Sequence, residues 1–176
     1  SGSKVTVADA GVVHVIYGTA ASGLVASATG VPTTQLLRQP GFALVGGTEI
    51  AESGDQFGSS LAARDFDGDG FSDLAVGVSQ ERTSGTTARG VVQVFRGSSA
   101  GLATTASATF GPVLFSEFPN PETSRGANSL TWGDFNGDTF GDLAVGSYGV
   151  DPAQFTPTYS RVTVLYGSKS GLTTSG

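Results

Sequence analysis

The sequence contains no cysteine, no methionine and a single histidine, His14. Without cysteine there are no disulfides and no thiolate chemistry, and a Ser-His-Asp triad would have to use His14. Charged residues make up only 14% of the 176 residues, against roughly 25% in a typical globular chain. No apolar run approaches the roughly 20 residues that cross a bilayer. These absences exclude disulfides and thiolate chemistry, leave His14 as the one residue for a Ser-His-Asp triad, and argue against a membrane-spanning helix.

The charges that are present are unevenly distributed. The formal net charge is −6, and the nine lysines and arginines are scattered singly. A nucleic-acid-binding chain would show a clustered basic face, so we expect no nucleic-acid partner. Of the 15 acidic residues, four lie in 65–73 and three in 134–142. These two clusters are the first candidates for function.

The chain repeats itself. Segments 11–18, 90–97 and 160–167 align, and each combines a β-branched strand pattern with a following glycine turn. A longer pair, 61–77 and 130–146, aligns at an offset of 69 residues and contains the two acidic clusters. Internal repeats of this length are typical of architectures in which similar units stack on one another.

Within one repeat the pattern predicts strands over 59–64, 74–78 and 90–96, and a poorly defined fourth strand near 104–110. No long segment has helical periodicity. Four short antiparallel strands repeated along a chain are typical of β-propeller blades, whereas a β-sandwich would require the similarity to be coincidental. We therefore predict an all-β fold of propeller blades, about two blades plus part of a third.

The phase of the repeats predicts three segments. Residues 1–50 would form an incomplete first blade, 51–118 a complete blade with a loop at 65–73, and 119–176 a blade with a loop at 134–142 that lacks its outer strand. Propellers usually close with about four to eight blades. We therefore expect closure by the remainder of a longer chain, by a second polypeptide, or by several copies in a homo-oligomer.

The acidic loops have the pattern of a metal site. Carboxylates crowded into nine residues repel one another, and a cation removes that cost. Alternate side chains of a tight loop point the same way, glycines permit positive φ, and the carbonyl at position 7 adds an oxygen. All-oxygen ligation suits Ca²⁺, and the absence of histidine and cysteine from both loops argues against zinc. The candidate ligands are Asp65, Asp67, Asp69, Phe71 and Asp73, and Asp134, Asn136, Asp138, Phe140 and Asp142.

The loops differ from an EF-hand, because position 12 counted from Asp65 is Val76 and the flanking segments are predicted strands. In the second loop Thr139 replaces Gly70. A β-branched residue is costly at positive φ, so we expect a strained and weaker second site if that conformation is required. The alternative interpretation is an Asp/Gly turn that binds no metal.

Four successive motifs together resemble one family. They are Phe57-Gly58, the Asp-rich loop 65–73, Leu74-Ala-Val-Gly77 and the strand 91–97, and they are similar to the FG-GAP repeat of integrin α-subunit propellers and of secreted bacterial proteins. The resemblance implies a seven-bladed ring, structural Ca²⁺ at the ligands named above, and a secreted, extracellular setting. Two departures are Arg125-Gly126-Ala127 in place of Phe57-Gly58, and a first copy without an Asp-rich loop. We therefore expect two calcium sites.

Two features of the sequence resemble parts of a catalytic site, the segment 97–101 and His14, and neither fits its motif. The segment 97–101 has the letters of a G-x-S-x-G elbow, but it leads from a strand into a turn rather than into a helix, and His14 corresponds to Gln93 and Thr163 in the other copies. We predict a non-catalytic binding or adhesion scaffold for protein or glycan. The alternatives are an accessory propeller of a secreted polysaccharide lyase or phospholipase, and a lectin. The match of Trp132 with Ala63 counts against repeated aromatic platforms and hence against the lectin.

Overall fold

The computed structural model describes residues 8–19, 23–24, 34–44, 47–82, 89–111, 124–150 and 157–175. All regular elements in these ranges are β-strands, as predicted. The strands are β1 Val13–Val15, β2 Gly18–Thr19, β3 Gly23–Leu24, β4 Gln35–Leu37, β5 Phe42–Leu44, β6 Gly47–Glu49, β7 Phe57–Arg64, β8 Asp73–Arg82, β9 Arg89–Phe95, β10 Ala108–Phe110, β11 Ser124–Gly133, β12 Asp142–Val150 and β13 Pro157–Leu165.

The first large sheet is an antiparallel meander in the order β10-β9-β8-β7. Its strands coincide with the four predicted ones, although β8 is longer and β10 covers only the end of its predicted segment. Strand β8 is buried along nearly its whole length, in keeping with its continuous run of small and β-branched apolar residues. Such a run is typical of a strand with both faces covered.

The second large sheet has the order β11-β12-β13, also antiparallel. It repeats the register of the first: Leu74 pairs with Phe95 in one sheet, and Leu143 pairs with Leu165 in the other. The pairing of the first two strands is shifted at the same place in both copies, between Phe57 and Ser60 and between Arg125 and Ser129. Both sheets are therefore built from one local plan.

The two sheets stack face to face. We call the side of the first sheet that bears Ala62, Ala75, Val92 and Val94 its front face, and the opposite side its rear face. The front face packs on residues of the second sheet, namely Ala127, Leu143, Val145 and Leu165. Strand alternation places these residues on the rear face of the second sheet. The front of one blade therefore packs on the rear of the next.

The rear face of the first sheet is covered in the same way. Leu74, Val76 and Phe95 lie in one cluster with Val13 of β1 and Leu37 of β4. Val13 corresponds to Val92 in the aligned copies, so this contact again joins a front face to a rear face. Strands β1 and β4 pair antiparallel, and two further two-stranded sheets join β2 to β3 and β5 to β6.

The predicted division into 1–50, 51–118 and 119–176 stays a prediction. The stacked sheets agree with its outline, but the boundary at 118 lies outside the described residues. The described residues include no helix long and apolar enough to cross a membrane.

Candidate metal centre

The first Asp-rich loop connects β7 to β8 and is wound around the carboxylate of Asp65. One oxygen, Oδ1, accepts hydrogen bonds from the amides of Gly68 and Asp69 at 2.6 and 3.2 Å, and Oδ2 accepts one from Gly70 at 2.9 Å. Asp67 and Asp69 each accept one amide from two residues further along the loop. The aspartates therefore fold the loop back over its own start, which is the local role of Asp in turns.

Asp73 closes the loop and ties three strands together. Its Oδ2 accepts the amide of Phe66 at 3.0 Å and its Oδ1 accepts the amide of Gly97 at 2.8 Å. The first amide follows β7, the second follows β9, and Asp73 itself begins β8. This carboxylate, only 2% exposed, therefore holds the loop end of the blade together.

Three carboxylates converge in this loop. One oxygen each of Asp65, Asp67 and Asp73 lies within 4.8 Å of the other two, and Asp67 is only 7% exposed. Burial is the main cause that raises the pKa of Asp73, with smaller contributions from the charges of Asp67 and Asp69, while the amides of Gly97 and Phe66 oppose the shift. The arrangement thus concentrates negative charge where little water reaches it.

One cation lies against this cluster. Arg96, directly after β9, places Nη1 3.3 Å from Oδ2 of Asp67. The same guanidinium donates through Nη2 to the carbonyl of Ser170 at 2.7 Å. Arg96 therefore connects the acidic loop of the first sheet to the turn that follows the second sheet.

The second loop copies the hydrogen bonds of the first. Asp134 accepts the amides of Gly137, Asp138 and Thr139 at 2.7, 3.1 and 3.1 Å, and Asp142 accepts those of Phe135 and Gly167 at 2.7 and 2.8 Å. Within the described ranges, only the first loop brings three carboxylates this close together. The second loop has an amide, Asn136, at the position of Asp67.

Thr139 adopts the backbone conformation that its place in the repeat requires. Its φ is 77°, and the corresponding Gly70 has a φ of 92°. The left-handed region costs a residue with a Cβ roughly 1–2 kcal/mol, and β-branching adds to the crowding. The condition set for Thr139, a positive φ, is therefore met, and the lower calcium affinity expected from it stays a prediction.

The two loops touch each other. The amide of Gly141 donates to the carbonyl of Asp65 at 3.1 Å. A Cβ built on Gly68 would lie 2.7 Å from the ring of Phe140, so the ring lies against this glycine and leaves no room for a side chain. The first loop is therefore part of the contact between the sheets.

The structure brings most of the predicted ligands of the first loop together, but not all of them. Asp69 lies outside the group of three converging carboxylates. The carbonyl oxygen of Phe71 stays a predicted ligand. In the second loop Asn136 donates from Nδ2 to Oδ2 of Asp138 at 2.9 Å. The sequence reasoning missed Arg96. The signal was present, because the aligned copies have Tyr17 and Tyr166 at that position.

The residues weighed for catalysis do not assemble. The segment 97–101 forms a turn after β9, and no helix follows it in the described part of the chain, so the elbow geometry is not present there. His14 lies exposed on β1 opposite Leu36. Trp132 is 48% exposed, and its ring centroid lies 4.7 Å from Cζ of Arg64. Trp132 therefore contacts the neighbouring sheet, because Arg64 belongs to β7 and Trp132 to β11.

The first loop fits a hard divalent cation. Its converging donors are all carboxylate oxygens, two of the three carboxylates are buried, and a resident arginine offsets only part of their charge. Calcium accepts six to eight flexible oxygen ligands, whereas zinc prefers nitrogen and sulfur. Asp65, Asp67 and Asp73 are thus the residues that would hold Ca²⁺.

Stacked antiparallel sheets, each with an Asp-rich loop between its first two strands, define the class: these are blades of a β-propeller. The FG-GAP repeat model matches residues 57–95 and 126–165. The chain therefore carries two FG-GAP repeats, one spanning β7 to β9 and the other lying within β11 to β13. FG-GAP repeats occur in extracellular or secreted proteins, commonly bind Ca²⁺ and are typically non-catalytic propeller modules.

Proposed function

We propose that this chain is a calcium-stabilised, non-catalytic propeller module that presents a binding or adhesion surface for protein or glycan outside the cell. The observation that carries the proposal is the convergence of Asp65, Asp67 and Asp73 within 4.8 Å. Three carboxylates at this separation repel one another by several kcal/mol at an effective dielectric near 20. A loop of this kind is stable chiefly when a cation shares the site.

The chain's own residues would couple that cation to the fold. Asp73 already holds the amides that follow β7 and β9, and Asp65 holds the amides of its loop. A bound Ca²⁺ supplies a positive centre that joins these two hydrogen-bonded groups. The expected consequence is a blade whose loop end stays ordered because loop and sheet share one site.

The second loop would take a second ion more weakly. It has one carboxylate fewer, and Thr139 carries the backbone strain described above. Two bound ions would change the formal net charge from −6 to −2, which is −6 + 4. This lower charge favours close packing of the blades.

A further blade of the same kind is proposed to cover the front face of the second sheet. Val162 on that face is 67% exposed, whereas its counterpart Val92 is 0% exposed beneath the second sheet. Phe135 is 52% exposed, whereas its counterpart Phe66 is fully buried. Because the chain already uses a front-to-rear contact twice, the same contact would bury these side chains. The additional blade would come from a longer chain or from another copy.

Thermal unfolding and light scattering, each recorded in Ca²⁺, in Mg²⁺ and in EGTA, test both parts of the proposal. We expect a higher melting temperature in Ca²⁺ than in EGTA, and a smaller effect of Mg²⁺, which prefers a more rigid octahedral site. A melting temperature indifferent to all three conditions would contradict the calcium site.

The molar mass separates the two sources of the covering blade. Association that is lost in Val162→Glu, but retained in the control Thr105→Glu, at an exposed position between β9 and β10 of the first sheet, supports a second copy. A monomer in Ca²⁺ points instead to blades of a longer chain, which a longer form of the polypeptide would contain as a closed ring. If the longer form is monomeric and melts at no higher temperature than this chain, the covering blade is contradicted.

A further inference from the structure

The cation of Arg96 is specific to one repeat. It occupies the position just before Gly97, a glycine that recurs in the three copies as Gly18, Gly97 and Gly167, and the other two copies have Tyr17 and Tyr166 at the position of Arg96. Its partner Asp67 likewise differs from Asn136 at the same loop position. The first repeat therefore has both members of the ion pair, one in its loop and one directly after β9, and the second repeat has neutral residues at both positions.

The consequence is an equal formal charge at two differently built loops. The four aspartates of the first loop together with Arg96 carry a formal charge of −3. The three aspartates of the second loop together with the neutral Tyr166 also carry −3. The arginine thus offsets the one additional carboxylate of the first loop. It does so by pairing with Asp67, one of the carboxylates that would hold the metal.

The contact is directional as well as electrostatic. The two terminal nitrogens of Arg96 serve different blades, because Nη1 lies 3.3 Å from Asp67 Oδ2 and Nη2 donates to the Ser170 carbonyl at 2.7 Å. Beneath them is a cavity of about 30 Å³ that Asp73, Arg96 and Leu172 help to line. Asp67 is almost fully buried while Arg96 is 44% exposed, so solvent screens the arginine only in part.

We propose that Arg96 is a resident cation of the first loop, one that links this loop to the neighbouring blade without calcium and lowers the calcium affinity of the loop. The affinity part rests on the proposed calcium function, and the linking part does not. A guanidinium and a divalent ion that share Asp67 repel each other. Removal of the positive charge should therefore strengthen calcium binding, although it weakens the metal-free fold.

The affinity part is tested by calcium titration followed through backbone amide NMR signals, because the amides of Gly68 and Gly70 report the first loop and that of Gly137 reports the second. In Arg96→Gln we expect a roughly three- to tenfold gain in affinity at the first loop and no change at the second. Lys169→Gln, which removes the same charge from the turn containing Ser170, is the matched control and should change neither.

A lysine separates charge from geometry. Arg96→Lys keeps the positive charge but lacks the two-pronged donor arrangement of a guanidinium. We expect its calcium affinity to stay close to that of the unmodified chain and its melting temperature in EGTA to fall towards that of Arg96→Gln. If the affinity in Arg96→Gln is unchanged or lower while calcium still binds, the resident-cation inference is wrong and the calcium function stands.

The linking part is tested in EGTA with Asp67→Asn, Arg96→Gln and the double variant. If Asp67 holds Arg96 in place for its contact with the Ser170 carbonyl, the loss of melting temperature in the double variant will be smaller than the sum of the two single losses. The amide of Gly171, in the same turn of the neighbouring blade, will then exchange faster with solvent in each single variant. Purely additive losses would overturn the link. If the unmodified chain binds no calcium at either loop, the proposed function and the affinity part fail together, and this cycle still decides the link.

Discussion

The two FG-GAP repeats have nearly the same local structure but different surroundings. Val92 and Val162 occupy one position in the repeat, and they are 0% and 67% exposed. Phe66 and Phe135 occupy another, and they are 0% and 52% exposed. Among the described residues, some cover both faces of the first sheet, whereas those that contact the second sheet cover only its rear face. Burial in this fold therefore depends on the next blade and not on the residue itself.

The loops of the two repeats show the opposite behaviour. Asp73 and Asp142 make the same pair of backbone contacts, and Gly70 and Thr139 share a positive φ although one of them is a threonine. Loop geometry is thus maintained by local hydrogen bonds regardless of what lies alongside. Variants that change one repeat at a time can separate local from inter-blade contributions.

The largest effect is expected at the aspartate that closes each loop. Asp73→Ala leaves the amides of Phe66 and Gly97 without their acceptor, and we expect the free energy of unfolding in EGTA to fall by about 3 kcal/mol. Asp142→Ala should cost a similar amount, because its contacts are the same. Urea denaturation measures both. The control Asp69→Ala, at an exposed position with one amide contact, should cost less than 1 kcal/mol. Equal losses in Asp73→Ala and Asp69→Ala would contradict the bridging role.

A pair of glycines isolates the contact between the loops. Gly68 and Gly137 have φ values of 74° and 77°, but a Cβ on Gly68 would strike the ring of Phe140, whereas a Cβ on Gly137 meets nothing within 4 Å. We expect Gly137→Ala to cost about 1 kcal/mol through backbone strain alone, and Gly68→Ala about 2–3 kcal/mol because the ring must also move. Thermal unfolding compares them. Equal costs would show that the ring contact does not contribute.

The reciprocal exchange of Gly70 and Thr139 tests the strain difference. Thr139→Gly should raise the free energy of unfolding by about 0.5–1 kcal/mol, since relief of strain exceeds the added entropy of the unfolded chain. Gly70→Thr should lower the free energy of unfolding by about 1 kcal/mol or slightly more. The space around this glycine is open, so the cost comes from the positive φ alone. Calcium affinity should rise in the first variant and fall in the second. Changes of the same sign in both would contradict the comparison.

The smallest effect concerns the neutral ligand of the second loop. Asn136→Asp adds a fourth carboxylate there, and we expect a few-fold gain in calcium affinity at that loop by titration calorimetry. In EGTA the same change should slightly lower the melting temperature, because a hydrogen bond to Asp138 at 2.9 Å becomes a repulsion. Asp67→Asn makes the converse change in the first loop. If calcium affinity rises in both Asn136→Asp and Asp67→Asn, the number of carboxylates in a loop does not determine its affinity.

Much of the fold could be predicted from the sequence because its signals are local. The offset of 69 residues showed which strands of the two copies correspond. Glycines and aspartates at fixed spacing marked the loop between β7 and β8. The fourth strand was the least well predicted: β10 is three residues long, too short for alternation to mark it clearly. The three carboxylates that converge were all among the predicted ligands, but spacing alone could not separate Asp69 from Asp67.

The sequence by itself determined the repeat, the strand pattern and the loop residues, since hydrogen bonding within a few residues depends only on which side chains are nearby in the chain. Only the tertiary structure decided which faces are buried, that Arg96 reaches across to Ser170, and that the ring of Phe140 lies on Gly68. Each of these contacts joins residues about 70 positions apart. Such contacts depend on how one blade stacks on the next, which no local pattern encodes.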